Sequence, residues 1–340
     1  MPAHLYRADV QRHLGALNPA TMQHRGARVS DLQQLIQASR LYYELGETQS
    51  RVAELLGVTR PQVSRLLKRA RAEGLVEIRI VDQAASDSPA GETLRRRFGL
   101  AAVHLAPALV GPEEITRRMI GRLGADVLRA VIRDGAVVGI GDGASISAVA
   151  DAMVADEPIH ETGAIVVPLA GGYWFGGPAR EPFRRVADGI GGVPLGLLAP
   201  GLVDDPATKT ALCAHAGVRR IIDLWERLEV AAFGIGGPIW SSSALGPEVS
   251  GELERSAAVG EVLVSPFDID GRLVCEALRD RTIAFDAHEL GRIPVRIGVD
   301  GGPGKIRPIL GALRGQLISI LVTNQRTAEA VVALDEARLA

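Results

Sequence analysis

Apolar positions between Asp31 and Val81 follow first one period and then another. Leu32, Leu35, Ile36, Ser39, Tyr42 and Tyr43 recur at three- and four-residue spacing, which predicts a helix, and Gly46 closes the segment. A second, short helix is expected from Gln49 to Leu56, with Thr48 as its N-cap and Gly57 at its end. A third follows Thr59: Thr59 and Gln62 have capping-box spacing, Pro61 falls in the first turn where its missing N–H is harmless, and the pattern runs to about Glu73, before Gly74. From Leu75 to Val81 the period shortens to two, with Val76, Ile78 and Ile80 on one face and Glu77 and Arg79 on the other, which predicts a strand. Helix, helix, helix, strand over residues 31–81 describes a winged helix-turn-helix, preceded by a 1–30 arm without sustained apolar period that is expected to be flexible.

Residues 82–93 (DQAASDSPAGET) are small, polar and broken by Pro and Gly, so they are expected to be a linker. Beyond it, apolar runs predict strands at Ala102–Leu105, Ala136–Ile140, Ala164–Pro168, Val193–Leu198, Val230–Phe233, Val262–Val264, Val295–Val299 and Ile318–Val322. Helical patterns lie between them, such as Glu113–Arg133, Ser145–Ala155, Glu181–Gly189, Ala207–His215 and Lys305–Leu313. Alternation of this kind predicts that 94–340 forms an α/β domain with a mostly parallel sheet.

Composition narrows the class. The 340 residues are 47% apolar and 23% charged, a balance that supports a folded core and excludes wholesale disorder. The start of the chain lacks a signal peptide's apolar stretch and no run is long enough to span a bilayer, so a cytoplasmic protein is expected. Cys213 and Cys275 stand apart, and the seven histidines show neither HxxxH nor HExxH, so no disulfide framework, metal or cofactor is expected. The net charge of −2 conceals an asymmetry: residues 1–82 hold 12 basic and 8 acidic side chains, the remainder 26 and 32. A basic module on an acidic body points to a polyanion partner at one end of the chain.

That partner fits the third helix. Once Val63, Leu66 and Leu67 are turned inward, Arg60, Arg65, Lys68, Arg69 and Arg71 are left on its other faces. In a helix-turn-helix the start of this helix enters the major groove, which puts Arg60, Gln62, Ser64 and Arg65 at base edges and Lys68 and Arg69 at phosphates of double-stranded DNA. A solvated basic helix is the competing reading, which turn, caps and charge together disfavour.

In the larger domain the chemistry-bearing segments are glycine turns after strands. Gly141-Asp142-Gly143-Ala144-Ser145 follows a strand and opens a helix, so its N–H groups can hold an anion, although Ala144 departs from the dinucleotide fingerprint. Gly298–Lys305 looks like a phosphate-binding loop only superficially, since Ile306 stands where a magnesium-binding hydroxyl belongs. Lys305 is nonetheless one of three lysines against 35 arginines, just after glycines at a helix start. Gly171, Gly172 and the Gly234–Pro238 turn would line the same sheet edge, and Glu261, Asp268 and Asp270 cluster near a predicted strand end. No nucleophile elbow or serine triad spacing is visible.

Three blocks carry a family resemblance: Ser39-Arg-Leu-Tyr-Tyr-Glu44, the run TRPQVSRLLKRARAEGLVEIRI at Thr59–Ile80, and VDGGPGKIRPILGALRGQLISILVTNQRTA at Val299–Ala328. With them the chain resembles, over about residues 31–336, the SorC (sorbitol-operon regulator) family of sugar-responsive bacterial transcription factors. The resemblance implies a winged helix-turn-helix joined to an effector domain similar to sugar-phosphate isomerases, deaminases and CoA transferases, which binds phosphorylated sugars without turning them over. It also implies tetramers built through the α/β domains, and a homo-oligomer, dimer or tetramer, is expected. It places the phosphate-cradling turn at Gly141–Ser145, where Ala144-Ser145 replaces a threonine pair, and the family's lysine and acidic residue at Lys305 and Glu261. The closing Thr-Asp-Glu motif is here Thr323-Asn324-Gln325, and Asp142 adds a negative charge beside the cradle. A sugar, sugar alcohol or sugar phosphate is the expected effector; an isomerase-like enzyme fused to a DNA-binding module is the alternative.

Overall fold

The computed structural model describes residues 31–76, 88–107, 112–155, 161–172, 181–237 and 245–339. The chain divides into two compact units, Met1–Val81 and Asp82–Ala340.

In the first unit, helix α1 (31–39) continues into a π-helical turn at Arg40–Glu44, followed by α2 (Gln49–Leu56) and α3 (Arg60–Ala72). Thr48 caps α2 by accepting the Arg51 N–H at 3.2 Å, and Gly57 ends it at φ +65°, a conformation that would strain a side-chain-bearing residue. Ala38 of α1, Val52 and Ala53 of α2, and Val63 and Leu67 of α3 are buried together as a small core, and Leu35 of α1 is buried as well. The expected arm at 1–30 and the wing strand from residue 77 onward lie outside the described residues.

The second unit opens with α4 (Pro89–Phe98), so the last residues of the expected linker are helical. Ser88 accepts the Gly91 N–H as N-cap and Pro89 takes the first helical position, which makes a helix start out of the same small and Pro-bearing residues that a linker uses. The elements that follow are β1 (Ala102–Ala106), α5 (Glu113–Val131), β2 (Val137–Ile140), α6 (Ala144–Ala155), β3 (Ile165–Pro168), α7 (Pro182–Asp188) and β4 (Val193–Pro194). Then come α8 (Pro206–Ala214), α9 (Ala216–Trp225), β5 (Val230–Gly234), α10 (Gly246–Arg255), β6 (Gly260–Val262), β7 (Ser265–Phe267) and α11 (Glu276–Arg279). The chain closes with β8 (Val295–Val299), α12 (Ile306–Arg314), β9 (Ile320–Asn324) and α13 (Gln325–Leu339).

Seven strands form one sheet in the order β1-β9-β8-β5-β2-β3-β4, and every described pairing in it is parallel. A parallel sheet needs cover on both faces, and the alternation of side chains supplies two cores. Val138, Ala232, Ile297 and Val322 point toward α5, α6 and α7; Val137, Ala231, Phe233 and Leu321 point toward α9, α12 and α13. Helices α5 and α6 touch closely, for a Cβ on Gly121 would lie 2.6 Å from the Ala148 backbone. Two expected strands differ. Val193–Leu198 pairs only over its first two residues, and Val262 belongs to the separate β6–β7 hairpin, which folds over the end of the main sheet through the Gly236–Glu261 bridge.

Chain ends of this unit are tied together by ions. Asp335 of α13 is buried and accepts from Arg97 of α4 at 2.9 Å and from Arg314 of α12 at 2.6 Å. Burial alone would raise its pKa, but these two guanidinium groups hold it below the usual carboxylate value.

Candidate functional site

Helix α3 exposes every residue expected to meet DNA, but not all are free to do so. Gln62 spends its Oε1 on its own helix start, accepting from the Thr59 N–H at 2.7 Å and the Thr59 hydroxyl at 2.9 Å, so only its NH₂ remains to donate. Arg69 is held by Asp31 of α1 and Glu73, at 2.6 and 2.5 Å, which raises its pKa and makes it a tie within the unit. Capping and helix-to-helix pairing use the same residue types as nucleic-acid contact, so sequence spacing could not separate them. Arg60, Ser64, Arg65 and Lys68 keep exposed side chains, with Arg71 one turn further on. Among the described residues, the only side-chain hydrogen bond from this group is that of Arg65, a long one of 3.4 Å from Nε to the Pro61 carbonyl.

The second unit contains a cavity of about 970 Å³ where β2, β5, β8 and β9 end. All four strands are adjacent and parallel, so their following turns rise on one edge of the sheet, the usual ligand crevice of such folds. Gly143, Ala144 and Ser145 come from the turn after β2 and the start of α6; Gly236 and Gly237 follow β5; Asp300 through Lys305 follow β8. Asn324, Arg326 and Thr327 open α13, Thr116, Arg117 and Ile120 come from α5, and the β6–β7 hairpin contributes Glu261 and Leu263.

A buried carboxylate organises this floor. Asp300 accepts the Ser145 hydroxyl at 3.0 Å, the Gly301 N–H at 2.9 Å and the Lys305 ammonium at 2.9 Å. Lys305 gives a further hydrogen bond to the Ile235 carbonyl at 2.8 Å, which leaves one of its three donors for a ligand. Glu261 accepts the Val264 N–H at 2.9 Å, and Gly236 is what lets it sit there: a Cβ on that residue would lie 2.1 Å from the carboxylate. Burial pushes the Glu261 pKa above its ordinary value, with Asp300 adding to the rise and the Val264 N–H and Lys305 opposing it. At the other edge Asn324 caps α13 by accepting the Thr327 N–H at 2.8 Å, a task for which asparagine serves as well as aspartate.

Of the expected effector residues, Gly143, Ala144, Ser145, Glu261 and Lys305 converge on the cavity. The other four stand outside its lining. Gly141 is buried under the Phe233 Cβ, 2.8 Å from where its own would be. Gly171 is pressed against the Pro200 carbonyl and Gly172 bridges the same residue. Asp268 folds its own hairpin turn by accepting the Asp270 and Arg272 N–H groups, each at 2.9 Å. Glycine after a strand signals close backbone approach, and a neighbouring chain supplies that approach as readily as a ligand does. Asp300, Arg117 and Arg326 escaped notice; the signal for Asp300 was an acid at a strand end ahead of paired glycines. Among the described residues, no group of three or more acidic, His or Cys side chains could hold a metal, and no helix is long and apolar enough to cross a membrane.

Comparison with known proteins agrees with this division. Residues 82–333 match the sugar-binding domain family, and residues 30–77 match the homeodomain-like domain family. The deoxyribonucleoside regulator of Bacillus subtilis is 29% identical over 305 residues, which covers 87% of this chain and 96% of that one. The sorbitol operon regulator of Klebsiella pneumoniae is 28% identical over 320 residues, covering 88% and 97%. The crystal structure of full-length SorC from Klebsiella pneumoniae superposes with a TM-score of 0.71 at 27% identity, over 89% of this chain and 99% of that one. With a helix-turn-helix at one end and a sugar-binding domain spanning most of its length, the chain belongs to the SorC family of sugar-binding transcriptional regulators.

Proposed function

We propose that this protein binds operator DNA through α3 and releases or tightens that grip when a small polyhydroxyl compound occupies the cavity of its second unit. The observation that carries the reading is the joint presence of an exposed cationic recognition helix and a cavity whose polar floor is already built by Ser145, Asp300 and Lys305. Arg60, Ser64 and Arg65 would meet base edges, and Lys68 the phosphates. Relatives named for sorbitol and deoxyribonucleosides support a carbohydrate or carbohydrate-derived effector here. A helix-turn-helix reads a short site, so two or more chains would act together on a symmetric operator.

Turnover of a sugar phosphate in the same cavity is the second reading, favoured by Glu261 and Lys305 facing one space. One experiment separates the two. Fluorescence anisotropy of duplexes tiled across the region upstream of the gene is expected to find a salt-sensitive specific site, and a panel of sugars, polyols and sugar phosphates is expected to shift its affinity without being consumed. Consumption of a panel member by the purified protein, or binding of all duplexes alike, would overturn the regulatory reading.

A further inference from the structure

Asp142 occupies the place in the cavity where an anion would be held. It lines the cavity at the turn between β2 and α6, and its Oδ1 accepts the N–H of Gly143 at 2.6 Å. An anion docking at a helix start relies on N–H groups without intrahelical partners and on the positive end of the helix dipole. Here a carboxylate of the chain itself takes one of those groups and answers the dipole with its own charge. The neighbouring groups point the same way. The Ser145 hydroxyl proton is already given to Asp300, so what Ser145 offers a ligand is lone pairs. Lys305 is neutralised by Asp300, and Arg117 by Glu114 at 2.9 Å. The wall next to the turn is therefore rich in acceptors, from Asp142, Ser145 and Glu261, and Lys305 and Arg117 each already face a carboxylate, while Arg326 lines the cavity from the start of α13. Hydroxyl groups bring donors to such a wall without charge, whereas a phosphate group brings a net negative charge that would lie against Asp142.

We propose that Asp142 is a specificity-determining residue that makes this cavity select an uncharged sugar or polyol and reject the phosphorylated form of the same compound. This rests on the sugar-binding reading above but is tested separately, with inorganic phosphate as a probe that needs no knowledge of the effector. Full-length parent, Asp142→Asn and Asp142→Ala are titrated with phosphate by calorimetry, after circular dichroism has shown that each is folded. Asparagine keeps the acceptor for the Gly143 N–H and removes only charge; alanine removes both. The parent is expected to bind phosphate at least about tenfold more weakly than Asp142→Ala does, with Asp142→Asn between them. A second arm pairs four- to six-carbon polyols with their terminal phosphates, and the preference for the neutral member in the parent is expected to reverse in Asp142→Ala.

Equal phosphate binding by parent and Asp142→Ala, or none by either, overturns the proposal. Phosphate binding by the parent that vanishes in Arg326→Ala also overturns it, by placing the anion at α13. If Asp142→Ala gains phosphate while no polyol or sugar phosphate binds the parent, the selectivity stands and the sugar reading fails. If the parent prefers a sugar phosphate, the sugar reading stands and the selectivity fails.

Discussion

At the scale of single residues, the arginines of α3 differ by their neighbours. Arg69 is a tie because Asp31 and Glu73 face it, whereas Arg65 is placed to read DNA under the proposed function. Arg65→Ala, with no ion-pair partner to lose among the described residues, is expected to cost about 1–3 kcal/mol on the specific duplex and to relax base preference there. Lys68→Ala should weaken all duplexes alike and lower the steepness of the salt dependence by about one unit. Arg69→Ala, by contrast, should show up in thermal unfolding of the first unit, since it removes the link to Asp31. Glu261 gives a pH signature of its own. Its pKa is raised above the ordinary 4.5, so the folded chain holds more protons than the unfolded one, and stability falls as pH climbs from that value toward the folded-state pKa. Glu261→Gln lacks this loss while keeping an acceptor for the Val264 N–H. Urea unfolding of parent and variant across the acid-to-neutral range is expected to show their difference widening with pH in the variant's favour.

At the scale of elements, the helix pair α5–α6 shows how close packing shapes the cavity. Both helices contribute lining residues, and Gly121 lets them meet over Ala148. Gly121→Ala must push the two apart, at a cost of about 1–3 kcal/mol in urea unfolding and with weaker effector binding from a displaced Ser145. Elements with a strong period and clear caps are legible in the sequence: α2, α3, α5 and the core strands of the sheet all fall where spacing puts them. The β6–β7 hairpin was not, because Val262 and Leu263 carry the apolar signature of a sheet strand while the turn and the Gly236 bridge that detach them leave no local mark. Helix α4 was hidden for the opposite reason, its cap and Pro start being composed like a linker. In the cavity, the glycine turns led to the sheet edge where the cavity lies. They could not tell which glycines line it and which are pressed against Pro200 or Phe233, since that depends on a partner from elsewhere in the chain.

At the scale of the whole molecule, charge and symmetry decide behaviour. The basic first module and acidic second unit should confine DNA contact to one end of each chain and make it steeply dependent on salt. Occupation of a palindromic duplex by a single recognition helix would be weak, so sedimentation of the full chain is expected to give a species well above 36.0 kDa, with a whole number of chains per duplex. A 36.0 kDa species both alone and on DNA would contradict that assembly.

The grip of Asp335 on Arg97 and Arg314 has a consequence for how the molecule breathes. Final helices ordinarily fray, exchanging their amide hydrogens through small local openings that need little free energy. Here the last helix is riveted at its third turn to α4 and α12, while its first turn is capped by Asn324, which accepts the Thr327 N–H. Opening it means abandoning a buried carboxylate and two arginines at once, so α4, α12 and α13 should exchange as one cooperative block. Deuterium uptake followed by mass spectrometry is expected to show these three helices protected to a common level. In Asp335→Ala they should loosen together by about 1–3 kcal/mol while α5 to α7, on the other face of the sheet, keep their protection.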